Sequence, residues 1–593
     1  MKSKLRFILA TMAVWLTASC NKLDIPPKSL ITDDDVFGSE AGVTAYLVRL
    51  YEALPIETFT YAPTVGFRDW THFSGLGANT GEFKGSDYVY GWGIGSGFGY
   101  WPYADIRRAN YLIGELPNHK VNFSEEQISG WLGEAYFARA YYYFGLVKRY
   151  GGVPVITAVL QPTMPIEELQ LPRNKEDEVW SQIGADLDQA IALLPAARTR
   201  GRANRYVAAA LKSRAMLYAG TVAKYGTVQL DGLVGIPQEK AQGYFRQSYE
   251  AAKLLDGQYS LYRANGDKVQ NYVDVFFDQG SPENVFVKEF VFSAGVAHSF
   301  DCYNSPHQMA GPIGWGSAMN PTIEWVELFG TLPVALPDGT PIRFDSPADL
   351  LPELEPRLRA SVLFPGEMFR DQVIDVQGGI YESYPGGTLH TAGTATATWN
   401  GRRVMGLSGL GNDNGTFTGF HMRKYMNYRA TSAELVDWRS EQDWIDIRYA
   451  EVLLNRAEAA AELAASGESV AVYLADALAC INDIRDRAGA SLLVGTADVD
   501  INVIRLERRK ELAFENHSWW DLRRWRTAHI EIDHKRYGTF APYYVFDEGK
   551  YIFLKGKHKL DAEFTFDIRL YYEPLPQGEI DKNSNLLPNN PMY

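Results

Sequence analysis

The sequence predicts a mainly α protein: stacked helical hairpins resembling a tetratricopeptide-type array, with a loop-rich subdomain carrying short strands. Three observations carry this. Apolar residues recur at helical spacing in two blocks, about 38–256 and 444–527. Within those blocks the helices come in pairs of repeat-like size, although no strict repeat consensus is met. Between the blocks, from about 265 to 440, periodicity gives way to Gly, Pro and short apolar runs. A structureless loop of that length does not fit inside a compact domain, so this stretch is read as a subdomain packed on the array.

In chain order, residues 38–54 form a first helix with Val43, Leu47, Leu50 and Leu54 on one face. Residues 124–148 begin on Ser124 as N-cap, with Gln127 at the capping-box position. Ala140 and Phe144 within it have the small-then-large spacing that lets helices approach closely. Residues 176–194 follow (Ile183, Leu187, Ile191, Leu194) and Pro195 stops them. The stretches 204–219 and 241–255 make a second pair. In the irregular middle, Pro337-Asp338-Gly339 and Asn412-Asp413-Asn414-Gly415 read as turns. Helical periodicity returns at 444–464, 470–488, 498–515 and 517–526. Residues 564–572 alternate enough to predict a strand, and an Asn-rich tail runs to Tyr593.

The amino terminus predicts export. Lys2, Lys4 and Arg6 precede an apolar run from Phe7 to Leu16, too short to span a bilayer, and then Leu16-Thr17-Ala18-Ser19-Cys20. A basic start, a short apolar core and small residues before the cut define a signal peptide over 1–19. Ending it on cysteine gives the lipobox pattern, so Cys20 is the expected lipidation site, and acyl chains at ~0.8 kcal/mol per buried methylene hold a protein on a membrane. Residues 20–35, with Pro26 and Pro27, read as a tether, and 36–593 as one domain.

Composition sets limits. Removing the signal takes the basic count from 58 to 55 against 72 acidic residues, and the net charge from -14 to -17. That argues against nucleic acid or an anionic membrane surface as ligand. Outside the lipobox only Cys302 and Cys480 remain. A buried free thiol is the default for Cys480, with a disulfide between the two left open in an oxidising compartment.

The chain carries 14 Trp, 35 Tyr and 29 Phe, and many of these rings fall where no core helix can form. In residues 66–101, Trp70, His72, Tyr88, Tyr90, Trp92, Tyr100 and Trp101 are set among ten glycines. Flat rings on loops match the apolar C–H faces of sugars. About 50 Å² buried per ring at ~25 cal/mol/Å² contributes roughly 1.2 kcal/mol. Two or three rings with a few hydrogen bonds reach about 4–6 kcal/mol, a dissociation constant between millimolar and tens of micromolar. A second aromatic loop runs from His298 to Trp315, where Tyr303 and Trp315 could complete a platform from across a cleft. Packing the loops down is the competing role for every one of these rings.

Catalytic and metal signals are weak. There is no His-Glu-x-x-His, Gly-x-Ser-x-Gly or Walker-type loop. His298, Cys302 and His307 lack the paired short spacing of a zinc site, and Asn412–Gly415 lacks full calcium-loop spacing. No metal and no cofactor are expected. Glu507 and Glu511 sit one helical turn apart, which suggests a glycosidase pair, but Arg508, Arg509 and Lys510 surround them and favour an ion-paired scaffold helix.

Several stretches together resemble the SusD/RagB family of surface glycan-binding lipoproteins. They are Gly133-Glu134-Ala135-Tyr136-Phe137-Ala138-Arg139-Ala140-Tyr141-Tyr142-Tyr143-Phe144 leading to Arg149-Tyr150-Gly151-Gly152-Val153-Pro154, then Ala185–Pro195, then Ile447–Asn455. Most specific is Glu507-Arg508-Arg509-Lys510-Glu511-Leu512-Ala513-Phe514-Glu515 continuing to Asp521-Leu522-Arg523-Arg524-Trp525, with a closing segment from Pro574. Asn516-His517-Ser518 departs from the Gly often found after the late-helix Glu. The resemblance implies four tetratricopeptide-like units, a loop-built ligand face with Tyr90 and Trp92 where ligand aromatics tend to fall, and scaffold roles for Trp101 and Tyr103. It further implies non-catalytic binding of oligosaccharide or polysaccharide at the outer-membrane surface, and a SusC-like TonB-dependent barrel over which the protein closes as a lid. The expected ligand residues are Trp70, Tyr90, Trp92, Tyr303 and Trp315. A peptide-binding relative and a surface glycosidase are the alternatives.

Overall fold

The computed structural model describes residues 33–58, 75–85, 99–410, 414–557 and 563–593. Its frame is helical: α1 (Glu40–Glu52), α2 (Tyr103–Glu115), α3 (Glu125–Tyr150), α4 (Glu176–Leu193), α5 (Arg205–Tyr225), α6 (Ala241–Lys253), α7 (Tyr449–Ala465), α8 (Val470–Ala488), α9 (Ile501–Glu511) and α10 (Ser518–Arg524). Each helix packs on the next from α2 to α6. Then α6 packs directly on α7, and α7 on α8 and α9. The two periodic blocks are therefore one continuous array of stacked hairpins, and the intervening residues are an insert looped out of it. The last pair, α9 and α10, is short, at 11 and 7 residues.

Local chemistry explains the central helix. At its start the Gln127 N–H donates to Ser124 Oγ (3.2 Å) and the Ser124 N–H to Gln127 Oε1 (3.0 Å), the reciprocal box expected from the sequence. Nearly every residue of α3 from Gly133 onward is buried, so its tyrosine hydroxyls need partners. Tyr142 donates to the Leu50 carbonyl (2.6 Å) and Tyr141 to Asp446 Oδ2 (2.6 Å), while Arg139 forks onto Asp186 at 2.8 and 2.6 Å.

Elsewhere the fold departs from expectation. Residues 444–448, expected as the first turn of a helix, are a strand paired antiparallel with Asn284–Lys288, and helix begins only at Tyr449. Trp444, Ile445 and Ile447 are β-formers that fit a buried strand as well as a helix. Residues 564–572 are not a ladder strand. Phe564 is extended and exchanges bonds with His534 and Lys535, but Asp567 then caps a 3₁₀ turn over Ile568–Tyr571. Asp33–Asp35, expected in the tether, are helical. A hairpin of Gly538–Val545 and Lys550–Lys557 was not foreseen. It pairs over eight residues, and its first strand lies parallel to Gly379–Tyr381, which pairs with Leu389–His390. Gly419 (φ +95°) docks this sheet on the insert, where a Cβ would lie 1.5 Å from the Phe540 carbonyl oxygen. Cys302 and Cys480 are buried free thiols, not a disulfide, and burial pushes both up to about 12.

Glu507 and Glu511 anchor a buried ion network, as expected, but their partners are distant in sequence rather than the adjacent Arg508, Arg509 and Lys510. Arg357 donates to Glu507 (2.7 Å) and Glu511 (2.8 Å), and Arg485 to Glu507 (2.7 Å). Arg487 reaches Glu511 and Glu283, while Arg448 reaches Glu511 (2.5 Å), Glu283 (2.9 Å) and Glu515 (2.7 and 2.8 Å). Burial alone would raise the Glu511 carboxyl, but Arg487, Arg448 and Arg357 outweigh it and hold it well below the usual range. Beside it, Arg524 forks onto Glu458 (2.6 and 2.6 Å) and holds that carboxyl down at about 2 against the same burial effect.

Removing one member strips its buried partners of part of their counter-charge and hydrogen bonding in the core, which costs about 3–5 kcal/mol. Arg448→Met should therefore lower the thermal unfolding temperature sharply. Arg49→Met, which breaks an exposed pair with Glu52, should change stability by less than about 1 kcal/mol. Calorimetric melting of both variants checks this.

Candidate functional site

Two segments of the insert face each other around a short helix, Phe300–Asn304. The first, 305–318, is a loop closed at its base. The Ser317 N–H donates to the Ser305 carbonyl (2.8 Å) and the Ala318 N–H to the Tyr303 carbonyl (2.9 Å). This closure lays Trp315 on Tyr303, with ring centroids 5.0 Å apart and planes at 21°. Tyr303 is buried and Trp315 is 42% exposed, so Trp315 is the open face of the stack and Tyr303 its support.

The second segment, 425–443, is fastened to that helix by Asp301. Oδ1 accepts from the Asn427 N–H (2.7 Å) and from Arg370 (3.3 Å), and Oδ2 accepts from Ser440 Oγ (2.9 Å) and Gln442 Nε2 (3.0 Å). His298 and Ser440 exchange backbone bonds at 2.9 and 2.8 Å. Trp438 (φ +54°), its N–H bonded to Ser299 Oγ (2.9 Å), is 57% exposed. Beside it Arg439 lies 4.2 Å over the ring of exposed Phe292. A cleft of about 370 Å³ opens here, lined by Arg200, Phe277, Asp301, Glu434, Arg439 and Asp443 among others.

Of the residues expected in a ligand site, the structure joins Tyr303 and Trp315. Trp70, Tyr90, Trp92 and Cys20 lie outside the described residues, as do Asn412 and Asp413 of the Asn412–Gly415 turn. Phe83–Gly85, the last described residues before the segment carrying Tyr90 and Trp92, pair antiparallel with Met319–Pro321, the strand that follows the Trp315 loop. Trp101 and Tyr103 are scaffold. Trp101 packs edge-on against Tyr150 at 5.4 Å, and the Tyr103 hydroxyl donates to the Pro154 carbonyl (2.7 Å). Trp438 and Phe292 were missed because no glycine flanks them closely in the way that marked the other loops. A bulky ring set among charged residues in an aperiodic stretch, Asp437-Trp438-Arg439, was the available signal.

The chemistry of the site is that of a surface. Burial holds the His298 imidazole neutral, at about 3, with Nδ1 accepting from the Phe300 N–H and Nε2 facing the Gln442 carbonyl. Among the described residues no group of three or more His, Cys, Asp or Glu side chains is arranged to hold a metal ion, and no helix is long and apolar enough to cross a membrane. Glu507 and Glu511 are buried in the ion network.

A sequence model described as the SusD family matches residues 282–593, more than half of the chain. The chain belongs to the SusD family. A second model, described as starch-binding and associating with the outer membrane, matches residues 95–217. A SusD-like protein of Formosa agariphila is 23% identical over the full length of both chains. Among solved structures, a SusD-like protein from Bacteroides fragilis superposes with TM-score 0.65 at 23% identity, covering 95% of this chain and 99% of its own. A SusD-like carbohydrate binding protein from the same species gives TM-score 0.63 at 19% identity, covering 93% of this chain and all of its own. This SusD-family fold is thus continuous across both helical blocks and the insert.

Glu82, at the base of the Phe83–Gly85 strand, offers a pH test. Burial raises its carboxyl to about 7, although Ser518 and the Phe514 N–H donate to it. The folded value lies above the unfolded one, about 4.3. Its contribution to stability is therefore full below about pH 4.3 and is lost as pH rises through about 7. Glu82→Gln should flatten the fall in melting temperature between pH 5 and 8 relative to the wild type, read by scanning fluorimetry.

Proposed function

We propose that the protein is a non-catalytic, surface-exposed binder of oligosaccharide or polysaccharide. The observation that carries this reading is the exposed stack of Trp315 on Tyr303, with Trp438 standing on the segment that Asp301 fastens beside it and Phe292 under Arg439 of that segment. Open rings on closed loops suit stacking on sugar C–H faces, and a shallow site of a few rings suits capture and hand-over better than a deep pocket does. Membership of the SusD family and the carbohydrate binding named for one relative support it. The second part of the reading, drawn from the family and the lipobox, is lipid anchoring through Cys20 at the outer membrane and closure as a lid over a SusC-like TonB-dependent barrel. Trp70, Tyr90 and Trp92 remain proposed members of the ligand face.

Trp315→Ala and Trp438→Ala should each lose roughly 1–3 kcal/mol of glycan affinity by titration calorimetry, the scale of a truncated stacking anchor. Melting temperature should change little, because truncating an exposed ring leaves no core cavity. Unchanged affinity in both variants would place the ligand face elsewhere, and binding of peptides instead of glycans would favour the peptide-binding alternative. For attachment, Cys20→Ala should move the protein from the membrane to the soluble fraction in detergent-free buffer.

A further inference from the structure

The four-stranded sheet carries a second cleft, of about 590 Å³, lined by Asp345, Asp375, Arg402, Arg403, Leu407 and Tyr551 among others. Its charges do not balance locally. Asp345 pairs with Lys550, and Asp375 with Arg403 at 3.4 Å. Arg402 is left over. Among the described residues no carboxylate accepts from it, and its contacts are the face of Tyr544, 3.7 Å from the guanidinium, and the Tyr551 hydroxyl at 3.4 Å.

Arg402 is held still as well as unpaired. Thr398–Trp399 and Arg402–Arg403 form a tight hairpin whose corner, Asn400 (φ +46°) and Gly401 (φ +78°), has the two left-handed residues that a two-residue turn requires. Trp399 and Arg402 are cross-strand partners, so their side chains stand on one face. Trp399 in turn stacks on His390 at 4.2 Å and takes the edge of Phe546 at 4.9 Å. A guanidinium laid flat on a ring, exposed and without an anion, is a ready-made fork for a carboxylate or sulfate.

The cleft also touches the loop that bears Trp315. Gln308 of that loop donates to the Val373 carbonyl (2.8 Å) and to Ser408 Oγ (2.8 Å) and accepts from the Asp375 N–H (2.9 Å), so it joins both walls. We propose that this cleft is a second saccharide subsite, in which Arg402 takes the anionic group, a uronate carboxylate or a sulfate ester, of an acidic glycan. The inference rests on the glycan-binding reading above and extends it to a ligand class. On a chain of net charge -14, an anion is held by this local fork and not by the overall field.

Affinity electrophoresis in gels containing polygalacturonate, dextran sulfate or neutral dextran tests it, on the full chain and on Arg402→Gln, Arg402→Lys and Trp315→Ala. The wild type should be retarded by at least one acidic polymer more than by dextran. Arg402→Gln should weaken that retardation at least about tenfold, the scale of a lost charge-assisted fork, with Arg402→Lys in between and the melting temperature unchanged. Which acidic polymer responds identifies carboxylate or sulfate. Equal retardation of Arg402→Gln and wild type, or no retardation of the wild type by either acidic polymer, overturns the proposal. If Trp315→Ala alone loses binding, the Arg402 subsite falls and the ring platform stands. If Arg402→Gln alone loses it, the platform reading falls and the subsite stands.

Discussion

The buried pairing of Glu511 with Arg357, Arg448 and Arg487 is the constraint on which the rest of the structure depends. These four residues come from α9, from the insert, from the strand that ends the insert and from the last turn of α8. Taking such charges out of water is expensive, and only near-complete mutual satisfaction offsets the cost. Glu283, Glu507, Glu515 and Lys424 supply that satisfaction. A guanidinium fork tolerates little misplacement, so the network fixes the array and the insert in one relative position where apolar contact alone would tolerate sliding.

That fixed base lets the segments that carry Trp315 and Trp438 be loops without being loose. Asp301 repeats the strategy on a smaller scale, with one carboxylate accepting from four donors on two segments. Rings such as Trp315 and Trp438 can then stay exposed, because their backbones are held by hydrogen bonds and not by burying the rings themselves. Order is supplied below the surface and contact area is left open above it.

What was legible in the sequence follows from range. The Ser124–Gln127 box and the apolar stripe of α4 are contacts within one or two turns, and both were readable. Glu507 and Glu511 were recognisable as scaffold, yet their partners were not, because Arg357, Arg448 and Arg487 reach them only through the tertiary fold. Trp444–Arg448 misled for the same reason, since pairing with Asn284–Lys288 decides between strand and helix and nothing local does. The Gly538–Lys557 hairpin was within reach, as Asp547-Glu548-Gly549 between two β-rich runs is a turn signal that went unread. Of the site, Tyr303 and Trp315 were legible as rings in an aperiodic loop. Their division into support and open face depends on burial, which spacing does not report.

The direct packing of α6 on α7 has a consequence for how the molecule is made. The residue that follows α6 leaves the ribosome roughly 200 residues before α7 does, a wait of about 10–40 s at ordinary elongation rates of 5–20 residues per second. Throughout that interval α6 can pack on α5, but the surface it turns toward α7 has no partner. The amino-terminal half therefore cannot complete its stack until α7 has been made. The long-range closure that completes the finished fold thus leaves the nascent chain's stack incomplete until α7 arrives.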